Sequence, residues 1–415
     1  MAAASTTAEV FTFENGLTLV VEPVSGVSSV GFAVAVPGGS VFDTAPAHGT
    51  AAVLTDMLTR GAGTYDTREL SGKLDDLGVQ RHEATGSVHL TFGGATLAEN
   101  LPATLRLYRD MLREPHLPAA EFEAARVGVE QDVRAAEDDP RHRVMTELRR
   151  RSYAAPWGLP NDGTLAGLAE VDFARVEAQY RRHVTATGSV IGIAGAVDID
   201  AVRADVEVLF ADWESAQTAD VDAGPTPEPR AHVTEDLAQT HIGISYPEVP
   251  YGHDEYFTAW AVSDLLGGGM SSRLFTNVRE RHGLCYAISA SLTGFKHAGR
   301  LTCYAGTTTD RAQETLDRTL EELRGAGDGV TDDELARVKA RAKSALVMQQ
   351  ESTAARAGSL TRDWVHLGRV CPLEEVTAKI DALTPADIAD HVRRYPADDL
   401  AIVTLGREPL TVSAG

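Results

Sequence analysis

Val171-Asp172-Phe173-Ala174-Arg175-Val176 leads through Tyr180-Arg181-Arg182 to the apolar run Ser189-Val190-Ile191-Gly192-Ile193-Ala194-Gly195. Near the other end of the chain, Leu383-Thr384-Pro385-Ala386-Asp387-Ile388 leads through Val392-Arg393-Arg394 to a second apolar run that closes on Gly406. Positions 171, 176, 180, 181 and 182 recur 212 residues later, and the closing glycine recurs after 211. The shared unit reads as an amphipathic helix feeding a buried strand, with Asp172 and Thr384 as helix caps and Pro385 at a first helical position. A unit repeated at this distance divides the chain into two homologous halves.

The rest of each half follows the same order. Strand-like runs come first, LTLVVE and VSSVGFAVAV in one half and THIGISYPEV in the other, and a helical segment follows, GTAAVLTDMLTRG or YFTAWAVSDLLGGG. A second helix precedes two strands joined by a turn near Gly86 or Gly294. Long charged helical stretches, 119–151 and 332–367, complete the pattern. The expectation is an α+β fold of two homologous repeats, each an antiparallel-rich β-sheet covered by helices on one face. Between them, 212–236 is acidic and carries Pro225, Pro227 and Pro229, the composition of a linker. The predicted domains are therefore 1–211 and 237–415.

Composition narrows the function. A chain of 415 residues with 43% hydrophobic and 24% charged residues is long enough for two buried cores. Lys+Arg 38 against Asp+Glu 60 leaves a formal charge of −22, which argues against nucleic acid or an anionic membrane as partner. Cys285, Cys303 and Cys371 are far apart and form neither a disulfide framework nor a zinc knuckle. The first residues lack a basic segment followed by an apolar one, and no run is long enough to cross a bilayer, so a cytoplasmic protein is expected. Five lysines among the 38 basic residues, with abundant alanine, suggest a GC-rich bacterial genome.

In the helical segment 49–61, Ala52, Thr55 and Asp56 share one face at i, i+3 and i+4, while Val53, Leu54, Met57 and Leu58 supply an apolar face. This frame resembles the metal helix of the pitrilysin-type zinc metallopeptidases, the inverzincins, which include insulinase-like and mitochondrial processing peptidase-like proteins. Their H-x-x-E-H binds zinc through two histidines and uses the glutamate as general base. The resemblance implies a third ligand about 75 residues on, in a helix ending in acidic residues and proline. Here GVEQDVRAAEDDP puts Asp132 in that register, 76 positions after Asp56. The spacing is kept and the reactive groups are not. Asp56 and Asp132 alone would suit Mg²⁺ or Ca²⁺ better than zinc, and the bland alternative is two solvated acids. No two of the 13 histidines are four apart, and the nearest pair, His82 and His89, falls on neighbouring strands. No metal is expected in this chain.

The second half carries Gly267-Gly268-Gly269-Met270-Ser271-Ser272-Arg273-Leu274-Phe275, then Arg279 and Tyr286. Three glycines at a helix end allow positive φ and let the following backbone approach another chain, and Ser271 or Ser272 can cap the next helix. Arg279 offers a planar fork of donors and Tyr286 a phenol. The stretch is similar, nearly letter for letter, to the same family's C-terminal signature. There the Arg/Tyr pair clamps the substrate backbone near zinc held by the other half or subunit.

The resemblance implies a non-catalytic subunit of a heterodimeric zinc metallopeptidase. It would supply Arg279, Tyr286 and the glycine-rich loop to a homologous H-x-x-E-H partner that holds the zinc and cleaves peptides or unfolded segments. A homodimer could serve as a resting form. Two other readings stand beside it: an assembly subunit resembling the core proteins of respiratory complexes, and a peptide-binding protein acting alone.

Overall fold

A computed structural model describes residues 8–217, 220–225 and 227–412. In the first sheet are β1 (Glu9–Thr12), β2 (Thr18–Pro23), β3 (Ser29–Pro37), β4 (Gln80–Thr85), β5 (His89–Leu97) and β6 (Val190–Gly195), in the order β1-β2-β6-β3-β5-β4. The second contains β7 (Arg230–Thr234), β8 (Gln239–Glu248), β9 (Cys285–Gly294), β10 (Gly299–Thr308) and β11 (Ala401–Gly406), in the order β7-β11-β8-β10-β9. Both are antiparallel apart from one pair each, β2 with β6 and β11 with β7. The strand that ends the repeated unit, β6 or β11, thus makes the parallel pair in both sheets.

The helices of the first half are α1 (Thr50–Met57), α2 (Thr67–Asp76), α3 (Leu101–Arg113), α4 (Phe122–Glu137), α5 (Pro140–Ser152), α6 (Leu165–Leu168), α7 (Phe173–His183) and α8 (Ile199–Phe210). Those of the second are α9 (Tyr256–Gly267), α10 (Ala312–Arg324), α11 (Asp332–Gln350), α12 (Thr353–Leu367), α13 (Leu373–Ala382) and α14 (Pro385–Arg394). The repeated helices α7 and α14 start as their sequences indicate. Asp172 accepts the Arg175 N–H at 2.8 Å, and Thr384 accepts that of Asp387 at 3.2 Å with Pro385 opening the helix.

Each sheet buries one face under helices of its own half. Leu19, Val21, Phe32 and Ile193 pack with Leu54 and Met57 of α1, Tyr108 of α3 and Val206 of α8. In the second sheet Ile242, Ile244 and Leu301 pack with Val262 and Leu266 of α9, Leu316 of α10 and Ile388 of α14. Strand residues alternate between faces, so Val20, Val190 and Ala194 form an apolar patch on the reverse side of the first sheet. Helix α12 of the second half covers that patch with Ala357 and Leu360. Reciprocally, α5 of the first half lays Val144 and Leu148 on Tyr304, Val403 and Leu405 of the second sheet.

Helices therefore lie on both sheet faces, and the compact units depart from the contiguous division at 1–211 and 237–415. One unit comprises Met1–Ala135, Leu159–Asp222 and Met348–Cys371; the other comprises Ala136–Gly158, Ala223–Val347 and Pro372–Gly415. The long stretches 119–151 and 332–367 are each two helices, broken where Pro140 opens α5 and where Ser352 caps α12. Glycines admit the exchanged helix α12: a Cβ on Gly31 would lie 2.2 Å from the Thr353 backbone, and one on Gly192 2.3 Å from the Thr361 hydroxyl. Arg356 of α12 also pairs with Glu22 of β2. The linker is shorter than 212–236, because Trp213 is buried beside Phe210 and residues 230–234 are strand β7. Within it Thr218, Ala219 and Thr226 lie outside the described residues.

Candidate functional site

Helix α1 is fixed from a distance. The Asp43 carboxylate accepts the backbone N–H of Gly49 at 2.7 Å and of Ala51 at 2.9 Å, and the Gln179 amide at 3.1 Å. Gly49 holds φ at +118°, a conformation glycine tolerates best. Burial pushes the Asp43 carboxyl up to about 6, while the N–H groups it accepts pull the other way.

On that helix Ala52 and Thr55 are each only 6% exposed. The Thr55 hydroxyl donates to the Ala51 carbonyl at 2.9 Å and lies 2.9 Å from the Thr85 hydroxyl of β4. Asp56 pairs with Arg60, whose guanidinium also reaches Glu121 at 3.3 Å. Asp132 is exposed on α4. These residues do not fit zinc: one position has no donor atom, one has its hydroxyl proton committed to a carbonyl, and one carboxylate is already neutralised by an arginine. Among the described residues no group of three or more His, Cys, Asp or Glu is arranged to hold a metal ion. His82 and His89 do lie on adjacent strands, but His82 is opposite Gly93 and His89 lies 3.3 Å from the Gly188 carbonyl.

The second unit presents the other constellation. Helix α9 ends at Gly267, and none of Gly267, Gly268 and Gly269 adopts positive φ, contrary to the sequence expectation. Space is what they provide. A Cβ on Gly267 would lie 2.0 Å from the Ala290 nitrogen of β9, one on Gly268 1.8 Å from the Asp264 carboxylate, and one on Gly269 2.3 Å from the Arg341 guanidinium. Arg341 donates to that carboxylate at 2.6 Å, tying α11 to the loop. The serines do not cap as predicted: the Ser272 hydroxyl is buried without a hydrogen-bond partner.

A π-helical segment, Phe275–Arg281, follows and carries Arg279. Its wider turn is visible in the His282 N–H, which reaches back five residues to the Asn277 carbonyl at 3.3 Å. Arg279 is exposed, with its guanidinium carbon 4.6 Å from the centre of the Phe275 ring. The chain then turns at Gly283, φ +60°, into β9. Burial pushes the Cys285 thiol up to about 11, opposed by the positive charge of Arg279. Tyr286, 44% exposed, donates its hydroxyl to Gln239 Oε1 of β8 at 2.5 Å.

Sequence reading missed the residues around that phenol: Gln239, His241, Tyr304 and Gly306. Gln239 and His241 are two apart in β8 and so share a face, a visible signal, but which residues they would meet there depends on a register the sequence leaves open.

Two family models match in tandem, one described as insulinase (peptidase family M16) over residues 19–160 and one as the peptidase M16 inactive domain over 170–342. The chain belongs to the M16 peptidase family. An uncharacterised zinc protease of Bacillus subtilis is 27% identical over 95% of this chain and 97% of its own length. One from Streptomyces coelicolor is 26% identical over 96% of this chain and 87% of its own. Among solved structures, a peptidase M16 inactive domain from Pseudomonas fluorescens superposes with TM-score 0.88 at 18% identity, covering 98% of this chain and 99% of that one. A chain of complex III2 from Candida albicans gives 0.83 at 17% identity, covering 97% and 96%. At such identities the likeness concerns the fold, and this M16 chain shares it from end to end. No helix among the described residues is long and apolar enough to cross a membrane.

Proposed function

We propose that this M16 chain is the non-catalytic subunit of a heterodimeric zinc metallopeptidase and lends Arg279 and Tyr286 to a homologous H-x-x-E-H partner. The observation that carries the reading is the contrast in side-chain use: Thr55 and Asp56 are consumed by internal contacts, whereas Arg279 and Tyr286 remain exposed on adjoining elements. The chain has no zinc of its own in this reading, and the partner supplies the metal and the general base. Arg279 anchors the peptide backbone through its fork of N–H donors. Tyr286 turns its hydroxyl from Gln239 to the scissile carbonyl oxygen, where a positioned donor is worth most as negative charge develops. An assembly role would leave this exposed pair idle, and a stand-alone peptide binder would have no use for a hydroxyl aimed at a reacting carbonyl.

Co-expression with a homologous H-x-x-E-H chain tests the reading. The expected result is a 1:1 complex in size-exclusion chromatography that hydrolyses unstructured peptides, with neither chain active alone. Separate elution at low and physiological salt, or about one tightly held zinc per isolated chain, would overturn it.

A further inference from the structure

The face of the second sheet beneath α5 holds a chain of polar side chains that leads to Tyr286. Gly306 of β10 is paired with His241 of β8 on one side and Ala287 of β9 on the other. The ladder slips between Gly306 and Thr307, and such a bulge re-aims the side chain beside it. Tyr286 is the residue the slip leaves unpaired, between Cys285 and Ala287, and its ring crosses over Gly306 to reach Gln239. A Cβ on Gly306 would lie 2.5 Å from the Tyr286 hydroxyl and 2.8 Å from that of Tyr304, so the two phenols converge over the one residue without a side chain. The Tyr304 hydroxyl lies 2.8 Å from His241 Nδ1. Arg141, at the start of α5, stacks its guanidinium 4.7 Å above the Tyr304 ring and closes the cluster from outside.

We propose that Tyr304 and His241 are positioning residues that act through Tyr286, holding its hydroxyl over Gly306 in the orientation a substrate carbonyl requires. The inference rests on reading Tyr286 as a substrate contact. With the proton on Nδ1, His241 donates to the Tyr304 oxygen, which frees the Tyr304 hydrogen to point at the Tyr286 oxygen. Tyr286 then has one hydrogen left to give, to Gln239 in the free chain and to substrate in the complex. Each hydroxyl accepts one hydrogen bond and donates one, so the series has a single direction, and such series strengthen their terminal donor. Burial draws the His241 imidazole below its usual value, with Asp139 opposing. Burial, and then the contact with Tyr286, raises the Tyr304 phenol and keeps it protonated as a donor.

Two measurements test the proposal. In the full-length chain, 3-fluorotyrosine placed at 286 reports its surroundings by fluorine NMR. Tyr304→Phe, His241→Ala and Gly306→Ala should each shift or broaden its resonance, and His241→Asn, whose amide nitrogen stands where Nδ1 was, should largely restore it. A resonance unmoved by Tyr304→Phe and Gly306→Ala would overturn the proposal. In the reconstituted complex with an unstructured fluorogenic peptide, Tyr304→Phe should lower kcat about tenfold with little change in KM, and Tyr286→Phe about a hundredfold. The double variant should be no slower than Tyr286→Phe alone, because Tyr304 acts only through that hydroxyl. Multiplying losses would show that Tyr304 acts independently and would sink the idea. If Tyr286→Phe left turnover unchanged, the substrate-contact reading would fail, while the fluorine spectra would still decide whether Tyr304 and His241 hold the phenol.

Discussion

The α1 region of the first unit and the Gly267–Tyr286 region of the second differ in what their polar side chains are bonded to. In α1, Thr55 is closed off by Ala51 and Thr85, Asp56 is paired with Arg60, and Ala52 is buried. In the second region the glycines, Asp264 and Arg341 hold the loop together, while Arg279 and Tyr286 are exposed. Helix α1 is held by the ordinary demand that buried polar atoms be paired. A binding surface needs side chains that solvent can reach.

Activity is where this contrast should be widest. In a complex with an H-x-x-E-H partner, Tyr286→Phe should lower kcat about a hundredfold and Thr55→Val should leave it unchanged, as steady-state assays of both variants would show. Equal losses would erase the contrast. Stability should show the reverse pattern. Asp43→Ala removes the acceptor of two backbone N–H groups at the start of α1 and should cost about 2–3 kcal/mol in urea unfolding. Thr55→Val leaves one Thr85 hydroxyl without its partner and should cost about 1 kcal/mol by the same measurement.

The smallest effect is a slope with pH in the second unit. His391 is fully buried between Glu248, 3.1 Å from Nε2, and Glu255, 2.8 Å from Nδ1. Burial lowers its pKa, but the two carboxylates outweigh burial and the net shift is upward. The raised imidazole contributes stability that is complete below its ordinary value of 6.5 and is lost as pH rises through the folded value. His391→Gln should flatten that slope. A slope unchanged by the substitution would show that the charge on this imidazole does not contribute to the stability of the second unit.

Much of this was legible in the sequence. The repeat around Val171 and Leu383 gave two matching helix–strand units, and both capping residues act as read. The residues at 52, 55, 56 and 132 were read as a metal frame without ligands, and the structure places Ala52, Thr55 and Asp56 together on α1 and Asp132 on α4. The glycine loop was read as allowing positive φ and an approach to another chain; none of its glycines has positive φ, and the crowding is with Ala290, Asp264 and Arg341 of the same chain, because spacing does not distinguish crowding from torsion. The exchange of α5 and α12 was not legible, since an apolar helix face says that something must be covered and not which sheet. One hint was present: VIGIAG and AIVTLG are apolar on successive residues rather than alternating, as befits strands covered on both faces. The convergence on Gly306 depends on a bulge, and no residue type announced it.

The exchanged helices bear on how the chain is made. When β6 leaves the ribosome, the first sheet has all its strands, yet the apolar patch of Val20, Val190 and Ala194 waits for α12, about 170 residues later. At bacterial or eukaryotic elongation speeds that interval is on the order of ten to thirty seconds. During synthesis the nascent first half therefore carries an uncovered apolar sheet surface over that interval, and a truncated product ending in the linker would carry it permanently.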